Sequence, residues 1–133
     1  MNKVFIIIAS TLALCGCARG VWKDFIKLSS TDIVFEAEGG KQEVWSKTGS
    51  QFDLGGIFEN GENPKDKEVV QDEHYKMVAI TGEWLHAGYT DLNDRTSLTI
   101  SATENATGKE RNGKVTVSCG DLYKSVKIRQ KAK

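Results

Sequence analysis

Several residue types are too scarce to support the functions they usually carry. The 133 residues include one proline, Pro64, three cysteines and two histidines. Three cysteines are too few for a disulfide scaffold. The histidines, His74 and His86, fall into no metal-ligand spacing. Charge of one sign is not in excess either, with 18 Lys+Arg against 18 Asp+Glu. That balance argues against a nucleic-acid partner, which calls for a basic surplus. A hydrophobic fraction of 39% argues equally against a disordered chain. No glycine-rich phosphate loop follows a strand pattern, and no nucleophile motif surrounds a serine. Asp91-Leu92-Asn93-Asp94 begins like a calcium loop, but Arg95 and Ala102 occupy positions where ligands belong. The expectation is a chain without metal, cofactor or catalysis. Asn105-Ala106-Thr107 matches a glycosylation sequon and reads as a turn.

The first residues carry a different signal. Met1-Asn2-Lys3 is a short positive start, and Val4 to Leu14 is uncharged and mostly apolar. As a helix that run spans roughly 16 Å at about 1.5 Å per residue, half of a ~30 Å hydrocarbon core. The layout is that of a secretory signal peptide rather than a membrane span. Leu14-Cys15-Gly16-Cys17 resembles a bacterial lipobox, which implies lipidation of Cys17 after removal of residues 1–16. Cys15 departs from the small residue usual at its place. Several acyl chains, at ~0.8 kcal/mol per buried CH₂, make a durable anchor. Residues 17–25 then form a tether and residues 26–133 one domain. Ala18 to Lys27 reaches at most about 33–36 Å. Trp22 either rests at the lipid interface or packs on the base of the domain. Ala18-Arg19-Gly20 after Cys17 lacks an acidic cluster, which inclines the expected location toward the periplasmic side of the outer membrane.

From Ile26 onward the hydrophobic period is two. Ile33–Phe35, Gln42–Ser46, Phe52–Leu54 and Lys76–Thr81 read as strands, with Trp84-Leu85 beyond Gly82. Leu98, Ile100 and Ala102 alternate with Ser97, Thr99 and Ser101. Val115, Val117 and Cys119 alternate with Thr116 and Ser118, which makes Cys119 a small buried apolar residue. With Gly120-Asp121 as a type II′ hairpin loop, Cys119 opposes Leu122, Val117 opposes Lys124 and Val115 opposes Val126. Lys124 is the one polar inward position, which suggests an edge. Glu59 to Tyr75 is polar and fits a long loop, an extra hairpin or a helical turn capped at Asn63. The fold class is all-β: an Ig-like antiparallel β-sandwich of about seven to eight strands.

Gly82 to Gln130 resembles the BACON family, the Bacteroidetes-associated carbohydrate-binding often-N-terminal domain. The resemblance rests on Trp84, Leu98-Thr99-Ile100, Glu104-Asn105, Arg111, Val115-Thr116-Val117 and Val126 to Gln130. Leu28-Ser29 and Phe35 to Gly40 are similar to the family's opening strand and Gly-Gly turn. The likeness is vague from Phe58 to Val78. It implies an Ig-like sandwich and a carbohydrate-binding or spacer role. The residues themselves favour structural roles for four signature positions. Trp84, on a central strand, fills the core, Asn105 suits a turn, and Arg111 and Gln130 tie that turn to the last strand.

Two functions follow as expectations. One is glycan binding at the cell envelope through aromatic faces, with Trp45, Tyr75 and Tyr89 as candidates. The other is a protein-interaction or structural role without glycan, for which sandwich edges accept a partner strand. The chain ends after its last strand pattern, which leaves no downstream enzyme to space or target. Charge is unevenly spread: residues 109–133 hold 8 Lys/Arg against 2 Asp/Glu, and residues 17–108 hold 9 against 16. The basic residues either guard edge strands or attract an acidic glycan or partner.

Overall fold

The computed structural model describes residues 26–133. The signal-peptide, tether, Cys17 and Trp22 expectations lie outside those residues. Nine strands follow one another: β1 (Asp32–Phe35), β2 (Gly40–Trp45), β3 (Asp53–Glu59), β4 (Glu68–Gln71), β5 (Met77–Thr81), β6 (Leu85–Tyr89), β7 (Ser97–Ala102), β8 (Arg111–Cys119) and β9 (Leu122–Gln130). They form a four-stranded sheet of order β1-β9-β8-β3 and a five-stranded sheet of order β2-β7-β6-β5-β4. The alternation decides which face of each strand meets the other sheet. Leu98, Ile100 and Ala102 of β7 face Val115 and Val117 of β8 across the core, with Val44, Leu85, Ala87, Val126 and Ile128 beside them. Burying each such aliphatic side chain is worth ~1.5–3 kcal/mol.

The β8–β9 hairpin pairs Cys119 with Leu122, Val117 with Lys124 and Val115 with Val126, as the alternation requires. Gly120 has φ +60° and Asp121 does not share the positive φ, the signature of a type II′ turn. Lys124 lies in a part of β9 that β1 does not cover, since β1 pairs only with Lys127 to Gln130. Cys119 is partly buried and packs against the core rather than lying within it.

Four details differ from the sequence-based expectation. The described residues hold nine strands rather than seven to eight, because Glu68–Gln71 of the polar segment pairs with β5 as an extra hairpin. The sandwich is not wholly antiparallel: β1 runs parallel to β9, because the turn after Phe35 carries β2 into the opposite sheet. Gly39 makes that turn possible with φ +91°, where a Cβ would land on the Ala102 carbonyl oxygen. Trp84 precedes β6 rather than lying on a central strand. The strand read over Phe52–Leu54 continues to Glu59 as β3, with Gly55 and Gly56 inside it, where the register against β8 shifts in a bulge.

The strand directions define two ends. Ile26 enters beside the end of β2, where Leu28 bridges Ser46. This entry end also holds the β8–β9 turn, the β4–β5 turn and the β6–β7 loop. The far end holds the β1–β2 turn, the loop after β3, the β5–β6 turn and the β7–β8 loop.

Candidate ligand-binding surfaces

The four signature residues converge at the far end. Asn105 is fully buried. Its Nδ2 donates to the carbonyls of Lys109 (2.7 Å) and Lys131 (3.0 Å), and its Oδ1 accepts from the Thr107 amide (3.1 Å) and hydroxyl (2.6 Å). Gln130, also fully buried, accepts at Oε1 from Arg111 Nε at 2.8 Å and donates from Nε2 to the Thr103 carbonyl at 2.7 Å and the Glu36 carbonyl at 3.1 Å. A second guanidinium nitrogen of Arg111 donates to the carbonyls of Thr103 and Glu104. These bonds satisfy backbone groups that the β1–β2 turn and β7–β8 loop would otherwise leave orphaned.

Arg111 also covers Trp84, with its guanidinium carbon 4.5 Å from the ring centroid, a cation–π contact. Burial lowers the Arg111 pKa and the nearby Glu59 charge opposes that shift. Trp84 is 5% exposed, and its indole N–H meets no acceptor among the described residues. Sequence reasoning missed Glu59. This buried carboxylate accepts from the amides of Glu83 (3.0 Å), Trp84 (2.8 Å) and Leu85 (2.8 Å), capping the β5–β6 turn. No local pattern announces it, because its partners lie 24–26 residues away.

The three aromatic residues put forward for glycan do not form one platform. Tyr89 is a core residue. Its hydroxyl donates to the Phe52 carbonyl at 2.6 Å and accepts from the Leu54 amide at 2.9 Å, its ring stacks on Phe52 and Arg95 lies over it. Burial raises its pKa. Trp45 is half-exposed at the end of edge strand β2, and Tyr75 is 82% exposed in the β4–β5 turn, beyond the opposite edge of the same sheet. Asp72 organises that turn. It accepts the amides of His74 and Lys76 and pairs with Arg95 at 2.6 Å. The Arg95 hydrogen bond, helped by the Lys76 amide, holds its carboxyl down at about 2.

Open depressions take the place of a cleft. One of about 410 Å³ at the entry end is lined by Asp53, Lys76, Asn93, Arg95 and the Ser118–Gly120 turn, among others. Two more adjoin on the outer face of the four-stranded sheet. The first, about 400 Å³, runs over Val34, Lys127 and Arg129, and the second, about 300 Å³, over Phe58 and Lys114; both include Asn112. Lys114 Nζ sits 4.7 Å from the Phe58 centroid. Lys114 stands directly opposite Lys127, and Asn112 opposite Arg129. Sequence reasoning noted the basic C-terminal stretch but did not place these cations on one face, although alternation against Val115, Val126 and Ile128 carries that information. Among the described residues, no group of three or more His, Cys, Asp or Glu side chains is arranged to hold a metal ion, and no helix is long and apolar enough to cross a membrane.

Fold and surface together define a β-sandwich domain with shallow, open recesses. Residues 68–131 match the model of the BACON family, described as "Putative binding domain, N-terminal", the family that Gly82 to Gln130 resembles in sequence. An NMR structure of a protein from Bacteroides thetaiotaomicron shares the fold, with a TM-score of 0.60 at 22% identity over 81% of this chain and 87% of that one. No curated protein matches.

Proposed function

We propose that this chain is a non-catalytic envelope lipoprotein, anchored through Cys17, whose BACON domain binds an acidic glycan. The site is the outer face of the four-stranded sheet. The observation that carries this reading is the pair of adjoining depressions that share Asn112 and are bordered by Lys114, Lys127 and Arg129. Lys114 and Lys127 face each other across the ladder and repel; Asp32 stands beside Lys127 from β1, but one carboxylate against Lys114, Lys127 and Arg129 leaves the face with a cationic excess that a bound anion relieves. Arg129 meets Glu110 only at 3.7 Å, with both side chains about half-exposed, which leaves its guanidinium available. Phe58 adds part of a ring face, and the Asn112 amide both donates and accepts. These groups suit a chain of sugars bearing carboxylate or sulfate.

Binding of the full-length protein to immobilised uronate-bearing, sulfated and neutral polysaccharides tests this. The acidic polymers are expected to bind, more weakly as salt rises, and Lys114→Glu with Lys127→Glu to abolish retention. Equal binding to neutral polymers, or retention unchanged in that variant, refutes the site.

One observation favours a protein partner as a second reading. All four residues of β4 are exposed, with Val69 and Val70 on the edge of the five-stranded sheet. Such an edge accepts an added strand. A stoichiometric crosslink through residues 68–71 in cells supports that alternative.

A further inference from the structure

Exposed apolar side chains are not scattered over this domain. Of the seven large hydrophobic residues that are exposed among the described residues, four lie at the entry end: Trp45 (49%), Tyr75 (82%), Leu92 (55%) and Tyr123 (70%). They come from four separate places, the end of β2, the β4–β5 turn, the β6–β7 loop and the start of β9. The other three, Val34, Val69 and Val70, lie along β1 and β4. The far end carries none among the described residues.

We propose that the entry end is a membrane seat: Trp45, Tyr75, Leu92 and Tyr123 dip into the headgroup region, and the domain stands end-on on the bilayer. The proposal rests on the anchoring in the preceding reading, since the chain from Cys17 joins the domain at this same end. Ile26 lies nine positions after Cys17, enough to hold the domain as far as about 30 Å away if extended. The anchor alone therefore does not bring the domain down.

The chemistry of the four residues suits an interface rather than a sugar. Trp and Tyr are favoured where an apolar ring meets water at headgroup level. Trp45 and Tyr123 stand on the outward phases of β2 and β9, in different sheets, and Tyr75 and Leu92 come from the loops between, so the four surround one end and none of them lines its depression. Lys47 and Lys76 lie beside them in the chain, with stems able to lie along lipid while the ammonium stays wet. With Lys27, Lys124 and Arg95 included, this end holds five cations against six carboxylates, Asp53, Asp72, Glu73, Asp91, Asp94 and Asp121, so it has no basic excess. Attraction to anionic lipid is therefore not the driving force, and the partner is a neutral or zwitterionic surface. End-on seating also leaves the Lys114–Lys127 face lateral and open.

The test uses the full-length lipidated protein on phosphatidylcholine vesicles, in a Cys119→Ser background. Spin labels are placed at Asn93→Cys, beside Leu92, or at Glu38→Cys in the far-end turn. The label at 93 is expected to be reached by oxygen and shielded from a water-soluble nickel complex, the label at 38 the reverse, with no change at high salt. Combined Trp45→Ser, Tyr75→Ser and Tyr123→Ser should lower the oxygen-to-nickel accessibility ratio at 93 several-fold while the protein still floats with the vesicles. Equal water accessibility at both labels overturns the seat. Failure to float overturns it as well, and the mass of the N-terminal peptide reports separately whether Cys17 carries lipid.

Discussion

Removing the Glu59 carboxylate tests how the far end is held together. Replacing Glu59 with Ala strands the amides of Glu83, Trp84 and Leu85, the last two in buried surroundings. Each unsatisfied buried donor costs ~1–3 kcal/mol, so the loss is expected at about 2–5 kcal/mol. That is a large share of the ~5–15 kcal/mol typical of a domain, so Glu59→Gln provides the milder case. With its single oxygen toward Trp84 and Leu85 it keeps two bonds, while its amide nitrogen meets the Glu83 N–H donor to donor. The expected loss is about 1–2 kcal/mol. Gly82 supplies a second, independent handle. A Cβ there would lie 2.7 Å from the Glu59 carboxyl carbon and both oxygens. Gly82→Ala therefore costs ~1–3 kcal/mol by overpacking, and close to nothing once Glu59 is Ala. Urea unfolding, with the slope unchanged between variants, gives these differences directly. A loss below about 0.5 kcal/mol for Glu59→Ala, the scale of an ordinary surface change, refutes the capping role. So does an additive cycle for the Glu59–Gly82 pair.

Asn105→Ala is expected to cost about 2–4 kcal/mol in the same assay, because it uncaps the carbonyls of Lys109 in the β7–β8 loop and Lys131 just after β9. Asn105→Asp should cost at least as much at neutral pH, since a carboxylate would face two carbonyl oxygens; tolerance of Asp there would contradict the assigned donor direction. The Asp72–Arg95 pair predicts a pH window. A carboxyl held at about 2 when folded, and near 4 when unfolded, contributes stability that is complete above about pH 4. That stability is lost as pH falls through 2. The difference in urea midpoint between the parent and Asp72→Asn should therefore shrink from pH 5 to pH 2, and a constant difference would be the wrong outcome.

The parts of the fold legible in the sequence are those where one face is dry. The β8–β9 register could be read because Val115, Val117 and Val126 are wholly buried and a one-residue slip would expose them. β4 was illegible for the opposite reason: Glu68, Val69, Val70 and Gln71 are all exposed, so no alternation marks them. The family resemblance puts Trp84 on a central strand, and the residues around it offer no correction: Trp84 and Leu85 are consecutive and both buried, which erases the period at the point where β6 begins. Tyr89 shows a third limit. An aromatic at a strand end looks the same in sequence whether it faces water or core, and what fixes Tyr89 inside is the Leu54 amide 35 residues away. The basic face could have been found, since Lys114, Lys127 and Arg129 occupy the outward phase of strands whose inward phase was already assigned.

The residues that carry the family resemblance are not the ones a ligand would touch. Asn105, Arg111 and Gln130 direct their polar atoms at backbone carbonyls, at Thr107 or at one another, and Trp84 lies under the Arg111 guanidinium. Groups bonded in this way have little capacity left for a sugar hydroxyl. Their pattern preserves the closure of one end of a sandwich whatever the sandwich binds. Lys114, Lys127, Trp45 and Tyr75 are under no such constraint, because changing them breaks no ladder and empties no core. A relative can therefore keep the far-end closure intact while replacing every residue of the outer face and the entry end. Binding specificity in this fold has to be sought in the residues that the recognisable pattern leaves out.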